Sequence, residues 1–211
     1  MTATGFPDFS SNTTMLRQNL KQRRAAVSPR HRAQAGRRAW QHLRHWPPLQ
    51  RARTVACYIA MPGEFPTETI LEGLLEQGKR VYVPIVDRYH HRKMVFQRYK
   101  SGAPMRQNRY GISEPVIRSR EQLSAARLDL VIMPLLGFDH CGRRIGMGGG
   151  YYDTSLAFRL ERWRVKKTKL LGLAFDVQHC HQLERKPWDV PLDAVLTESG
   201  IKKCGNYSAH L

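Results

Sequence analysis

Between Phe9 and Gly63 the chain has no acidic residue, while it has eleven lysines and arginines there. Over its 211 residues 35 Lys and Arg face 17 Asp and Glu, a formal net charge of +18. Such a surplus suits three partners of different kinds. They are nucleic acid, solvent over a basic helical face, and small polyanions drawn to the field of the whole molecule. No aromatic–basic RNA motif or zinc-finger spacing accompanies it. Cysteine is scarce: Cys57, Cys141, Cys180 and Cys204 are widely spaced and form no C-x-x-C pair. That excludes a disulfide scaffold and points to a reducing compartment. No apolar run approaches the ~20 residues of a membrane span, and there is no secretory apolar segment. Residues 1–14 contain Asp8 and no Lys or Arg, unlike a transit peptide. The expectation is a cytoplasmic protein, monomeric and without a membrane partner. No internal repeat or low-complexity tract is present.

What is there is an apolar share of 41%, enough for the core of one domain. Residues 1–12 are polar and read as a disordered segment, 13–200 as one α/β domain, and 201–211 as a tail. Met15, Leu16, Leu20 and Val27 outline a first amphipathic helix. Ser28-Pro29 reads as an N-cap and first-turn proline of a second basic helix. Its buried stripe would be Ala33, Gly36, Ala39, Trp40 and Leu43, and Trp46-Pro47-Pro48 would end it. Strands and helices then alternate. Strands are expected at Thr54–Ala60, Val81–Val86, Met94–Tyr99, Leu128–Met133, Lys169–Phe175 and Ala194–Thr197. Helices are expected after Thr67, near Glu121–Ala126 and over Tyr152–Trp163. This is an α/β pattern with a mostly parallel central sheet and helices on both faces. In such sheets ligands bind beyond the carboxyl ends of the strands. Three segments fall there: Met61-Pro62-Gly63-Glu64, the loop after Met133, and Asp176-Val177-Gln178.

The loop after Met133 holds Gly146, Gly148, Gly149 and Gly150, flanked by Arg143 and Arg144 and followed by Tyr151-Tyr152-Asp153. Strand, glycine loop and helix start together make a cradle for an anion, with converging N–H groups and arginine charge. The alternative is a flexible turn. A Walker loop is excluded, because Arg143-Arg144 stands where Lys-Ser/Thr is required, and Tyr151 spoils the dinucleotide pattern. Asp153 could hold a divalent cation against bound phosphates. Tyr151 and Tyr152 are flat surface for a ligand or ordinary core aromatics. His140-Cys141 and His179-Cys180-His181 fall short of a transition-metal site.

The whole string FDHCGRRIGMGGGYYD resembles the signature of the 5-formyltetrahydrofolate cyclo-ligase family, with Ile145 in place of the usual Leu. The resemblance runs from about Leu16 to about Thr197. It implies an enzyme that uses ATP and Mg²⁺ to close 5-formyltetrahydrofolate into 5,10-methenyltetrahydrofolate. It implies ATP contacts at Arg17, Arg144, Ile145, Gly146, Met147, Gly148, Gly149, Gly150, Tyr151 and Tyr152, with Arg144 stabilising the transferring phosphoryl group. It implies folate contacts at Ile59, Glu64, Gly149, Gly150 and Tyr151, and magnesium ligands at Asp153 and Asp189. Read alone, Asp189 is a turn residue with Asp193 as its rival, and Glu64 is a helix-leading charge. Thr13 stands where the family often has Lys. Arg109 to Pro115 and Gln178 also match family positions, the former as a loop over the site. A basic RNA-binding protein on an α/β scaffold is the reading from another class, carried by charge alone.

Overall fold

The computed structural model describes residues 9–86, 93–108, 111, 113–116, 119–161 and 168–205. Helices α1 (Phe9–Ala25), α2 (Pro29–Leu43) and α3 (Pro47–Arg51) precede strand β1 (Thr54–Cys57). Helix α4 (Glu68–Glu76) leads to β2 (Arg80–Val86) and β3 (Met94–Arg98). A hairpin, β4 (Met105–Gln107) and β5 (Ser113–Pro115), is followed by β6 (Gln122–Leu123) and β7 (Leu130–Pro134). Then come a second hairpin, β8 (Gly137–Phe138) and β9 (Arg144–Ile145), helix α5 (Tyr151–Leu156), and strands β10 (Lys169–Leu173), β11 (Ala194–Thr197) and β12 (Gly200–Lys203).

Eight strands form the central sheet in the order β12-β11-β10-β7-β1-β2-β3-β6. The five middle ones, β11 to β2, run parallel. At the margins β12 pairs antiparallel with β11, β3 with β2, and β6 with β3. Alternation along the parallel strands splits the core in two. Val55, Cys57, Val81, Ile132 and Leu171 face one side, where α2, α3 and α4 cover them. Ala56, Tyr82, Val131, Leu170 and Val195 face the other, under α5 and the short 3₁₀ turns. The mostly parallel sheet with helices on both faces is as the alternating pattern implies.

Local details differ from expectation for identifiable reasons. Ser28 caps α2 as read, its hydroxyl accepting from the His31 N–H at 3.3 Å. The buried stripe of α2 runs through Ala35 instead of Ala33, because Ala35, Ala39 and Leu43, spaced i, i+4, i+8, turn to the sheet core, while Trp40 is partly buried at its edge. A Cβ on Gly73 would lie 2.2 Å from the Trp40 ring. Thr67 precedes α4 without capping it, its hydroxyl instead accepting from the Ala60 N–H at 3.1 Å. Of the helix expected over Tyr152–Trp163, the described part is six residues of α-helix and a 3₁₀ turn, and Arg162 and Trp163 lie outside the described residues. The one expected near Glu121 is two 3₁₀ turns around β6. Helix α1 begins at Phe9, inside the stretch read as irregular, and Met15 is exposed on it. Ile201–Lys203, read as tail, pair in register with β11. Of the loop read over the site, Arg109, Tyr110 and Ile112 lie outside the described residues.

Candidate active site

A cavity of about 930 Å³ opens at the carboxyl ends of β1, β2 and β7. Its walls come from distant parts of the chain: Arg17 and Arg24 of α1, Ile59 and Glu64 after β1, Gly146–Asp153, and the segment ending at Trp188-Asp189. Two of the three segments picked for lying beyond strand ends converge here. The third does not, and Asp176 is instead tied to Ser199 and Lys202.

Helix α1 reaches the cavity because of one buried contact. Leu20 is fully buried, and a Cβ on Gly137 would stand 2.6 Å from its methyl group. Arg17, Leu20 and Arg24 are spaced i, i+3, i+7 and share a face. Docking Leu20 on Gly137 therefore aims both arginines at the cavity. Arg17 Nε donates to the Gly146 carbonyl at 3.2 Å. Arg24 Nη1 lies 3.9 Å from Glu64 Oε1.

Asp139 builds the hairpin under the glycine loop. It is buried, and its carboxylate accepts from the N–H groups of Cys141 (3.0 Å), Arg143 (2.9 Å) and Leu183 (3.1 Å). Gly142 closes the turn at φ +79°, where a Cβ would meet the Leu192 carbonyl at 2.6 Å. The Phe-Asp and turn glycine of the signature thus shape the loop rather than touch a ligand. Beyond β9 the chain crosses Gly148 at φ +101° and enters α5 through Gly150 at φ +69°. Gly146 to Gly149 have no secondary structure other than a bend.

Arg144, Asp153 and Val190 form a closed set. Arg144 Nη2 meets Asp153 Oδ1 at 2.5 Å, and Nη1 donates to the Val190 carbonyl. The Val190 N–H donates to the same Asp153 oxygen at 3.2 Å. This set brings Asp189, the preceding residue, to the cavity wall beside Asp153. Asp189 itself closes a turn, Oδ2 accepting from the Lys186 N–H at 2.8 Å. Asp193, its rival, lies elsewhere and pairs with Arg159 (3.1 Å) and Lys169 (3.1 Å).

On the facing wall Glu64 Oε2 accepts from the Met61 N–H at 3.1 Å. Arg32 donates to the carbonyls of Gly63 (2.9 Å) and Glu64 (3.2 Å), fixing that turn to the α1–α2 corner. The phenols of Tyr58 and Tyr152 line the cavity and are held neutral. Burial, then the Glu64 charge, pushes both well above the ordinary range. The Tyr58 O–H donates to the Phe65 carbonyl at 3.1 Å.

A family model described as the 5-formyltetrahydrofolate cyclo-ligase family matches residues 10–198. The chain belongs to that family. It is an enzyme, and its relatives carry the cyclo-ligase name. The Escherichia coli K12 5-formyltetrahydrofolate cyclo-ligase is 37% identical over 182 residues, 86% of this chain and 98% of its own length. The mouse 5-formyltetrahydrofolate cyclo-ligase is 33% identical over 191 residues, 87% of this chain and 92% of its own. Among solved structures, the Aquifex aeolicus 5,10-methenyltetrahydrofolate synthetase superposes with a TM-score of 0.76 at 25% identity, covering 94% of this chain and 99% of its own.

Seen as a family member, the chain gathers around one cavity the residues to which the signature gives a ligand: Arg17, Ile59, Glu64, Arg144 to Asp153, and Asp189. Gln178 is not among the lining residues. It is buried as a clamp, accepting from the Phe175 N–H at 2.9 Å and donating to the carbonyls of Leu135 (2.8 Å) and Leu136 (3.0 Å). Sequence reasoning missed Arg24, whose signal was its helical spacing from Arg17. It also left Glu114 without a role. That carboxylate is buried in the cavity wall and accepts from Asn108 Nδ2 at 2.7 Å. No helix of the described residues is long and apolar enough to cross a membrane.

Proposed function

We propose that the protein closes 5-formyltetrahydrofolate into 5,10-methenyltetrahydrofolate while ATP is cleaved to ADP and phosphate, with Mg²⁺ present. The observation that carries this reading is the convergence, in one cavity, of an arginine-flanked glycine loop with two aspartates and a facing glutamate. Its volume of about 930 Å³ is at the upper end for small-molecule sites, as two ligands require.

The chemistry dictates what the residues must do. A formamide carbon is a poor electrophile until its oxygen can leave. The formyl oxygen attacks the γ-phosphorus, and the bond from that phosphorus to the bridging oxygen breaks, releasing ADP. The N10 lone pair then attacks the activated carbon, N10 gives up its proton, and the C–O bond breaks with its electron pair leaving on phosphate. No covalent enzyme intermediate is needed, so catalysis rests on alignment and charge stabilisation.

Arg17 and the N–H groups of Gly146 to Gly150 hold phosphate oxygens. Arg144, braced by Asp153 and the Val190 carbonyl, supplies fixed positive charge beside the loop. Glu64 accepts from the N–H donors of the pterin ring, and Ile59, Tyr151 and Tyr152 give it flat and apolar walls. Asp153 and Asp189 are the residues that would hold Mg²⁺. The donor set fits: two carboxylates in the wall of the cavity that also holds the glycine loop. Magnesium is usually held by one or two carboxylates with water and phosphate oxygens completing the shell. When bound it neutralises charge on the phosphates.

The test is an absorbance assay for the methenyl product, with ATP and magnesium left out in turn. Turnover that needs both, with one ADP formed per product, is expected. Pure, folded protein without ATP-dependent turnover from mildly acidic to mildly basic pH overturns the reading.

A further inference from the structure

Opposite the cavity, at the amino ends of the parallel strands, the surface carries a row of cations that the cyclisation does not use. Arg80 opens β2 and is exposed. Arg53, exposed, immediately precedes β1 and pairs by its carbonyl with the Arg80 N–H at 2.9 Å. Arg127, exposed, ends the 3₁₀ turn before β7. Lys169, exposed, opens β10. The strand order β10-β7-β1-β2 places these four side by side. Neighbouring strands lie about 4.8 Å apart, so the row spans roughly 15 Å. Arg51 at the end of α3 and Lys79 extend it. Lys79 is fixed there by donating to the carbonyls of Gln50 (3.0 Å) and Ala52 (2.9 Å).

Nearby acids mostly have other work. Asp129 turns its carboxylate onto the N–H groups of Arg53 and Thr54, both at 2.9 Å. Asp193 binds the Leu170 N–H at 2.8 Å, Arg159 and Lys169. Lys169 is thereby partly neutralised, which leaves Arg53, Arg80 and Arg127 as the row's strongest charges. Glu76, exposed at the last turn of α4, is a flanking acid.

The cavity lies at the other end of the same strands, so this row cannot contact ATP or folate bound there. Steering of those ligands does not explain arginines placed at the far edge. Among the described residues the row contains no apolar anchor. None of the exposed large hydrophobic residues, such as Met61, Met147 or Trp188, belongs to it. A protein interface needs such anchors, as does insertion into a lipid surface. Exposed guanidinium groups spaced along a rigid sheet edge suit a repeating phosphate backbone, because each planar fork matches phosphate oxygens.

We propose that this edge is a sequence-independent docking surface for the phosphate backbone of RNA, separate from the active site. The acid-free stretch from Phe9 to Gly63 keeps the approach free of repulsion on its α2–α3 side. Docking of RNA here is independent of the cyclisation reaction.

The test is anisotropy of a fluorescent single-stranded RNA titrated with the full-length protein over a range of salt. Binding with a Kd of about 10⁻⁴ to 10⁻⁶ M is expected, weakening steeply with salt. The triple variant Arg53→Glu, Arg80→Glu, Arg127→Glu should bind at least tenfold more weakly. Its log–log salt slope should be shallower by about 2, at roughly 0.7 for each phosphate no longer neutralised. Lys21→Glu, Arg30→Glu, Arg37→Glu changes the net charge equally on the exposed side of α1 and α2. It should stay within threefold of the parent. The milder Arg53→Gln, Arg80→Gln, Arg127→Gln protein guards against a folding defect and should show an intermediate loss. Its melting temperature and cyclisation activity should be unchanged. Equal losses in the two Glu triples would show a net-charge effect only. Binding to anionic vesicles or polyglutamate but not RNA would point to a different partner. Either result overturns the proposal.

Discussion

Arg144 and Asp153 are nine residues apart and their side chains meet at 2.5 Å, inside a set closed by both backbone polar groups of Val190. One ion pair therefore joins the glycine loop, the start of α5 and the turn that carries Asp189. Asp153→Asn preserves the shape and can still accept from Arg144 and Val190, but it lacks the charge. It should raise the magnesium requirement and cut turnover by about a hundredfold, ~2.7 kcal/mol in the barrier. Asp189→Asn should act in the same direction and more weakly. The double variant should be less than additive, because both carboxylates act through one ion. Asp193→Asn should leave the magnesium response alone. Full activity of Asp153→Asn at limiting magnesium would remove Asp153 from the metal site.

Gly149→Val should abolish ATP binding and leave the fold nearly intact. A Cβ at this position stands 2.8 Å from the Tyr151 ring, so that ring, which lines the cavity, must shift from its place. The loop is near the surface, which limits the cost to stability. Calorimetry with ATP and a thermal melt separate the two effects, and unchanged ATP affinity would mean that this loop is not the cradle.

Arg24→Ala should raise the KM for the folate more than that for ATP. Arg24 sits by Glu64, on the wall facing the glycine loop, and its loss leaves that carboxylate without its nearest guanidinium. We expect about a tenfold rise, ~1.4 kcal/mol. Steady-state kinetics in both substrates would decide, and a change confined to ATP would place Arg24 with the phosphates.

Gln178→Leu tests a structural role for a residue that lines no wall. The variant strands the Phe175 N–H and the carbonyls of Leu135 and Leu136, all bonded by one amide. Leaving buried polar groups unpaired costs ~1–3 kcal/mol each. Urea denaturation should show a loss at the upper end of that range, with KM for ATP little changed.

Acid stability should depend on Asp176. Burial works to raise its carboxyl, but hydrogen bonds from Ser199 and Lys202 outweigh that and hold it below the usual carboxylate range. A carboxyl depressed on folding stabilises the protein above its unfolded pKa, and that contribution is lost as pH falls through the folded value. The parent protein should therefore lose stability in the acid range below the unfolded carboxyl pKa. Asp176→Asn should lose less there, though starting lower at neutral pH. Parallel melting curves with pH for the two proteins would contradict this.

Much of this molecule is legible along the chain because it is local. Runs of β-branched and apolar residues mark β1, β2, β7, β10 and β11, since a strand buried on both faces needs apolar side chains on both. Ser28-Pro29 marks the start of α2, since cap geometry involves residues three apart. The signature loop identifies the site because glycines at Gly148 and Gly150 meet backbone conformations that other residues avoid. What stayed hidden depends on partners far away in sequence. Thr67 reads as a cap, yet its hydroxyl goes to Ala60. Gln178 matches a family glutamine, but that its amide holds a chain segment about 43 residues away is not visible along the chain.

The sequence by itself determined the alternation of strands and helices, the glycine-rich loop between arginines and Asp153, and the excess of positive charge, because each is a property of neighbouring residues. Only the tertiary structure decided which of two aspartates, Asp189 or Asp193, reaches the cavity. They are four residues apart, but Val190 is drawn to Arg144 and Asp153 at one end of the sheet, while Asp193 binds the start of β10 at the other. The same parallel order carries Arg53, Arg80 and Arg127 to a single edge, because strands that run together must also begin together.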